Sequence, residues 1–146
     1  MFGFRKRNFA EGSVGMTRAE ICAILLPVVY GVNDNNYLRM DREHGHALVR
    51  RAFKWPGRFV KEKLDCDDYA EELVVDVRRE ARKVGLAYTP VLGAVGYQIP
   101  GRPKHQKPFA IWREGPIEYF EPQRNEWVDF LEVPPLYYAM GFGGPA

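Results

Sequence analysis

The sequence predicts an α+β protein, in which N-terminal helices and a later, cysteine-bearing helix pack on an antiparallel sheet. Two observations carry this prediction. After Cys66, apolar residues recur at spacings of three and four, which is the period of one helical face. After Gly85 the pattern changes to short runs rich in valine, tyrosine and glycine, separated by turn-forming residues. We therefore expect a sheet of three to five strands with the Cys66 helix packed on it.

Length and composition indicate one domain. A chain of 146 residues with 46% hydrophobic and 27% charged residues is long enough to bury a core without disulfides or metals. We expect a flexible N-terminal arm at residues 1–16, a single domain at 17–133 and an irregular C-terminal tail at 134–146. The formal net charge of +2 argues for neither a specific nucleic acid nor a membrane as partner.

The number of cysteines and the pattern of the N-terminal residues indicate where the protein resides. The two cysteines, Cys22 and Cys66, lie on different predicted helices and form no disulfide framework, so we expect both to be reduced. No apolar run follows the basic start, and the longest apolar run, residues 21–30, is short and is broken by Pro27. We expect a cytoplasmic protein, or a phage-encoded one associated with a virion.

A capping box predicts the first helix. Thr17 and Glu20 stand at the N-cap and N3 spacing, and the helix is expected over residues 18–30, bent or ended near Pro27. Cys22 lies inside it and is interpreted as a small core or flanking residue. The apolar face consists of Ile21, Ile24, Leu25 and Val28.

The second helix is expected to begin after Asp41, as its N-cap, and to run to about Lys54. It carries His44 and His46, which suggest a metal site. Two positions apart on a helix, however, these side chains diverge by about 200° and cannot share an ion unaided. We therefore interpret both as packing or surface histidines.

The third helix is expected over residues 66–84. Asp65 is a good N-cap, acidic residues load the first turns and basic residues the last, and Gly85 follows the end. The backbone N–H groups at a helix start favour a thiolate or an oxyanion, whereas the neighbouring carboxylates oppose one. A reactive Cys66 therefore needs a cationic partner such as histidine.

Strands are expected at residues 88–99, 108–113, 116–121 and 126–130, forming an antiparallel meander. Gly93 and Gly96 lie inside the first of them. They indicate a bulge or a close approach by another backbone, and in an active site they could leave room for a substrate chain.

The run Asp65-Cys66-Asp67-Asp68-Tyr69-Ala70 resembles the signature of transglutaminase-like cysteine proteases, a papain-like group that includes bacterial and phage-encoded members. The resemblance implies that a histidine and then an acidic residue follow the cysteine on neighbouring strands. The candidates are His105 and Glu121, the latter followed by Pro122. By this resemblance Cys66 is the nucleophile, His105 the general base and Glu121 the group that orients the imidazole.

Two registers of the histidine strand stay open. His105 lies in residues 102–108, which are predicted to be a loop, and a shift of four residues places Phe109 at the base position and breaks the triad. The sixteen-residue interval from His105 to Glu121 favours His105 because it fits two strands joined by a turn.

The functional hypotheses follow from these registers. The first is a cysteine peptidase or amide acyltransferase acting on a peptide or protein, without cofactor or metal. The alternative is a catalytically inactive transglutaminase-like binding or virion-associated module, in keeping with its aromatic surface candidates. These are Trp55, Tyr97, Trp112, Trp127, Tyr137 and Tyr138. A third is a divalent cation at Asp65, Asp67 and Asp68, although such a cluster is more often a capped helix start. The sequence leaves the oligomeric state unknown.

Overall fold

Three helices pack against a six-stranded sheet in the computed structural model, which describes residues 7–25, 29–30, 35–53, 66–122 and 124–140. The predicted α+β class is confirmed. The elements follow one another as β1 (Val14–Thr17), α1 (Arg18–Ile24), β2 (Val29–Tyr30), β3 (Asn36–Arg39), α2 (Arg42–Ala52), α3 (Cys66–Lys83), β4 (Leu92–Gln98), β5 (Lys104–Ala110), β6 (Glu118–Glu121), β7 (Glu126–Val128) and β8 (Tyr137–Ala139).

Helices α1 and α2 begin where local capping predicts. The Thr17 side chain accepts a hydrogen bond from the Glu20 N–H at 3.2 Å, and the Glu20 carboxylate accepts one from the Thr17 N–H at 3.2 Å. Asp41 likewise accepts from the His44 N–H at 3.2 Å. Helix α1 ends at Ile24, well short of the predicted residue 30, because Pro27 disfavours helical backbone before it.

Helix α3 ends as the sequence predicts. Gly85 adopts a φ of 79°, a left-handed conformation that glycine reaches without steric cost. The Leu86 N–H then donates to the Ala81 carbonyl at 3.0 Å, which satisfies an otherwise unpaired group at the helix end.

The strands of the large sheet run in the order β2-β8-β4-β5-β6-β7. Neighbours are antiparallel except β2 and β8, which are parallel at one edge. Strands β4 and β5 pair along their whole length, whereas β5 and β6 pair only at two positions, Phe109 with Tyr119 and Ala110 with Glu118. Strands β1 and β3 form a separate antiparallel pair.

One segment prediction needs correction, and two further segments contribute to the fold. Residues 104–108, expected in a loop, belong to β5, because they pair with β4 in register. The tail expected at 134–146 contributes β8, and the arm expected at 1–16 buries Phe9 and begins β1. In each case pairing or packing with a distant part of the chain gives order that the local sequence does not indicate.

Apolar side chains fill both faces of the sheet. One core lies between the sheet and helices α2 and α3, and its fully buried members include Leu48, Val49, Val74, Val77 and Trp112. The other lies on the opposite face, toward α1 and β1, and includes Met16, Ile21, Leu25, Val95 and Phe109. The predicted packing of α3 on the sheet is therefore observed. In the described ranges no helix is both long and apolar enough to cross a membrane.

A buried carboxylate ties helix α2 to the sheet. Glu118 is 3% exposed and accepts hydrogen bonds from Arg42 at 2.5 Å and from His46 and the Trp112 indole at 2.7 Å each. The His46 ring also stacks on Trp127, with centroids 5.0 Å apart. His46 is thus a packing residue, as its spacing from His44 led us to expect.

Candidate functional site

A cleft opens where the pairing of strands β5 and β6 ends. We call it the β5–β6 cleft, and its volume is about 450 Å³. Beyond the pair Phe109–Tyr119 the two strands diverge, and Pro108, at the point of divergence, lacks the N–H that a ladder hydrogen bond requires. The gap admits side chains from both sheet faces, including Tyr69 of α3.

An ion pair bridges the floor of the cleft. Lys107 and Glu121 each lie two residues beyond the last β5–β6 pair, so their side chains project from the same face of the sheet. The Lys107 ammonium donates to Glu121 Oε1. The Lys107 side chain is almost fully buried while that of Glu121 is partly exposed, so the pair presents its carboxylate to the cleft.

One wall of the cleft is aromatic and cationic. Tyr97 and His105 are opposite residues in the β4–β5 register, and their ring centroids lie 5.8 Å apart. The Lys107 ammonium sits 4.9 Å from the centroid of the Tyr97 ring, a favourable cation–π position. These contacts hold the tyrosine ring at a fixed angle in the wall.

Gln106 lies on the same strand with its side chain on the other face. Its amide nitrogen donates to the Tyr137 hydroxyl, and its amide oxygen is buried with no hydrogen-bond partner among the described residues. A buried acceptor of this kind costs free energy unless something satisfies it. Gln106 contributes to the lining of the cleft, but this buried oxygen is not exposed to it.

The two strand glycines serve packing. A Cβ at Gly93 would overlap the Ala139 carbonyl oxygen, so the predicted close approach of another backbone is observed there. A Cβ at Gly96 would overlap the Tyr137 ring, which covers that part of β4. The expectation that these glycines leave room for a substrate chain is therefore wrong, because β8 occupies the space.

The rim of the cleft combines charges of both signs with an exposed ring. Two guanidinium groups, Arg102 and Arg124, and the Glu132 carboxylate line it, and Arg124 also pairs with Glu126 at 3.6 Å. Phe130 is 58% exposed, which is unusual for so large an apolar side chain. The rim thus offers planar polar groups beside an aromatic surface.

The structure brings together part of the predicted site. His105 and Glu121 both line the cleft, as does Tyr69, which lies three residues after Cys66 on α3. Glu121 is paired with Lys107. The Cys66 side chain lies outside the described part of the chain, so its proximity to His105 stays a prediction. Phe109, the alternative at the base position, is fully buried in the core.

Sequence reasoning missed Lys107 and misjudged two of the aromatic candidates. Lys107 stood in the segment predicted to be a loop; once that segment is recognised as a strand, alternation places Lys107 on the same face as His105. Among the aromatic candidates Tyr97 lines the cleft, whereas Trp112 and Tyr138 are buried. Trp55 lies outside the described residues.

The predicted cation site also falls partly outside the described residues, since Asp65 and the side chains of Asp67 and Asp68 are not among them. Within the described ranges no group of three or more histidine, cysteine, aspartate or glutamate side chains is arranged to hold a metal ion. Cys22 is a free cysteine with a partly exposed side chain.

No family model and no curated protein matches this chain. Solved structures do match its fold. One is Polyporus squamosus lectin bound to the human-type influenza-binding epitope Neu5Acα2-6Galβ1-4GlcNAc, with a TM-score of 0.68 and 18% identity over 86% of this chain and 49% of that chain. Another, described as a "PSL1a-E64 complex", has a TM-score of 0.68 and 17% identity over 86% of this chain and 50% of that chain. The chain therefore spans about half the length of these neighbours, and identities this low show similarity of fold alone.

These matches overturn the resemblance to transglutaminase-like cysteine proteases. The neighbour whose printed name states a role is a lectin, which conflicts with a peptidase or acyltransferase and with the inactive transglutaminase-like module offered as its alternative. A physical reason for the misleading signature is that an N-cap aspartate, an acidic first turn and an apolar i, i+3, i+4 face are what any capped amphipathic helix requires. The specific papain-like core predicted with the signature is not established.

Proposed function

We propose that this chain is a carbohydrate-binding domain and that the β5–β6 cleft holds a short oligosaccharide. The observation that carries the proposal is the lining of the cleft, in which the exposed Phe130 ring lies among planar polar side chains of both charges. Its volume of about 450 Å³ is within the usual range for ligand sites.

The chemistry of sugars matches this lining. A pyranose presents apolar C–H groups on one face, which pack on an aromatic ring, and hydroxyl groups around its edge that both donate and accept. Guanidinium groups such as Arg102 and Arg124 supply paired donors, and the Glu121 and Glu132 carboxylates supply acceptors.

The solved neighbours add support of a weaker kind. The Polyporus squamosus lectin structure contains a bound trisaccharide, and this chain shares a fold with about half of that protein. A glycan therefore replaces the peptide or protein partner expected from the sequence. The exposed ring and the mixed charges of the cleft favour a sugar independently of that likeness.

Titration calorimetry with a panel of neutral and acidic oligosaccharides, including Neu5Acα2-6Galβ1-4GlcNAc and Galβ1-4GlcNAc, tests the proposal. We expect saturable binding by at least one member. Phe130→Leu, which removes the ring but keeps an apolar side chain, should weaken that binding by about fivefold, the value of one aromatic contact of about 1 kcal/mol. Phe130→Trp should retain it.

Ile24→Ala is the matched control, because Ile24 is an exposed apolar residue of α1 that does not line the cleft. It should bind like the unaltered protein. Absence of saturable binding across the whole panel, or equal losses in Phe130→Leu and Ile24→Ala, would reject the β5–β6 cleft as a glycan site.

A further inference from the structure

The turn that joins strands β4 and β5 lines part of the β5–β6 cleft. It consists of Ile99, Pro100, Gly101 and Arg102. The Arg102 N–H donates to the Ile99 carbonyl at 3.0 Å, which closes the turn, and Gly101 has a φ of 80°. Proline at the second position and a left-handed glycine at the third are typical of a type II turn. Local sequence therefore determines the backbone of this turn.

The turn holds the backbone of Arg102 beside the cleft. Besides the bond that closes the turn, the Arg102 carbonyl accepts a hydrogen bond from the Gln98 side-chain amide at 3.0 Å. Arg102 lines the cleft and is exposed to solvent. Because its backbone is already fixed, less of the chain has to be ordered when a ligand contacts this guanidinium.

Arg102 differs from the other cationic side chains of the cleft because it has no partner in the described part of the protein. Lys107 is paired with Glu121, and Arg124 is paired with Glu126. Among the described residues, no ion pair or side-chain hydrogen bond involves the Arg102 guanidinium. An anion that enters the cleft therefore meets one guanidinium that it can bind without first breaking a pair.

The carboxylates of the lining oppose such an anion only in part. Glu121 accepts from the Lys107 ammonium, so that pair has little net charge. The Glu132 carboxylate also lines the cleft but is exposed, where salt screens its repulsion of an anion. Screening acts equally on Arg102, so a preference for anions requires direct hydrogen bonds between the guanidinium and the ligand.

We propose that the β5–β6 cleft prefers acidic to neutral oligosaccharides and that Arg102 binds the carboxylate of the sugar. This inference rests on the proposed glycan-binding function. A guanidinium donates two parallel hydrogen bonds to a carboxylate, and the neutral hydroxymethyl group of an ordinary hexose offers no such pair of acceptors. Hydroxyl groups of the same sugar can donate to Glu132, so the two opposite charges of the rim bind different parts of one ligand.

Lys104 provides a matched comparison within the same hairpin. Exposure alone assigns no role to a cationic side chain, since most arginines and lysines are exposed. Lys104 lies two residues after Arg102 and is likewise exposed, but it does not line the cleft. Arg102→Gln and Lys104→Gln each remove one positive charge from the hairpin, and only the first removes it from the cleft.

Titration calorimetry at low ionic strength, with two matched pairs of ligands, tests the inference. One pair is Neu5Acα2-6Galβ1-4GlcNAc and the same trisaccharide with its carboxyl group reduced to a hydroxymethyl group. The other is glucuronic acid and glucose, each linked to N-acetylglucosamine. In at least one pair we expect the acid to bind about fivefold more tightly, because solvent weakens a charge-assisted contact at an exposed site.

The variants test the assignment to Arg102. Arg102→Gln should abolish the preference for the acid and change the affinity for the neutral ligand by less than about twofold, whereas Lys104→Gln should keep the preference. Raising the salt concentration should reduce the preference in the unaltered protein. Arg102 and Lys104 are exposed, so circular dichroism of both variants should show an unaltered fold.

The outcomes distinguish this inference from the function on which it rests. Saturable binding with equal affinity for acid and neutral ligand in both pairs would overturn the acid preference and leave the glycan site in place. A preference that survives in Arg102→Gln, or that falls equally in Lys104→Gln, would overturn the role of Arg102. Absence of binding by all four ligands would reject the glycan site itself, and this inference with it.

Discussion

Gly45 sets how closely helix α2 approaches the sheet. A Cβ at this position would overlap the six-membered ring of Trp112, which is 1% exposed and donates to Glu118. The missing side chain therefore lets the helix backbone rest on the indole. The same contact places the next residue, His46, against Glu118.

Gly45→Ala tests this contact. Inside a helix this substitution usually stabilises by about 0.5–1 kcal/mol, because alanine loses less backbone entropy on folding. Here the added methyl group must displace a buried ring, which costs about 1–3 kcal/mol. We expect a net loss of about 1 kcal/mol in the free energy of unfolding, measured by urea denaturation followed by tryptophan fluorescence.

Gly15→Ala is the control, since a Cβ at Gly15 has no heavy atom within 4 Å. It should leave the unfolding midpoint nearly unchanged. A Gly45→Ala protein as stable as the parent would mean that Trp112 moves aside without cost and does not fix the helix position.

At the residue scale, the sequence predicts what depends on near neighbours. Thr17 and Asp41 cap helices as expected, because their hydrogen bonds reach only three residues ahead. The partners of Glu118 and Lys107 could not be predicted, since those pairs join residues far apart in the chain. The local patterns of a single sequence do not indicate which distant residues pair.

An ion-paired carboxylate connects helices α2 and α3. Arg51 of α2 donates to Glu80 of α3 at 3.2 Å, and Lys83 donates to the same side chain at 3.4 Å. Burial acts to raise the pKa of Glu80, but the hydrogen bonds and charges of Arg51 and Lys83 outweigh it, so the pKa lies below its ordinary value of 4.5. The ionised form is therefore favoured in the folded protein.

Glu80 should make α2–α3 packing sensitive to acid. A lowered pKa contributes stability that is present above the unfolded-state value near 4.5 and is lost as the pH falls through the folded-state value. We expect Glu80→Gln to lower the free energy of unfolding by about 0.5 kcal/mol at pH 7, and by less at pH 3, because the pair is partly exposed. Urea denaturation at both pH values measures the difference.

Asp76→Asn provides the comparison, because Asp76 pairs with Arg79 on its own helix. Its loss should cost no more than about 0.3 kcal/mol. Equal effects of Glu80→Gln at pH 7 and pH 3 would show that the carboxylate charge does not contribute to the contact between helices.

The sequence predicted helix α3 better than strand β5, because local signals determine the helix and long-range pairing determines the strand. Helix α3, predicted over 66–84 and observed as Cys66–Lys83, is determined by its own period and end signals. Strand β5 was expected only from residue 108, because Pro103, Pro108 and nearby charged residues are typical of a loop. Pairing with β4 outweighs that local preference.

At the scale of the molecule, the sheet separates two apolar cores. Strands β4 and β5 lie at its centre, each flanked by a strand on both sides, and their buried side chains contribute to both cores. The sequence predicted helices on a meander but not the edge formed by β8 and β2, whose contacts join residues about a hundred positions apart. The candidate cleft depends on where β5 and β6 diverge, which is likewise a property of the whole sheet.

This arrangement predicts a gradient of local stability. Amides of β4 and β5 near Ala94 and Phe109 are covered on both faces and should exchange with solvent only on global unfolding. Strands β1 and β3 form a sheet of only two short strands, which Leu38 joins to Thr89 and Val91 by hydrogen bonds, so most of their amides should exchange through local opening at lower free energy. Native-state hydrogen exchange by NMR, repeated at several low urea concentrations, measures both. If the β1–β3 amides follow the global unfolding free energy as closely as those of β4, then the small sheet is part of the same cooperative unit, and the large sheet is not the most stable region of the molecule.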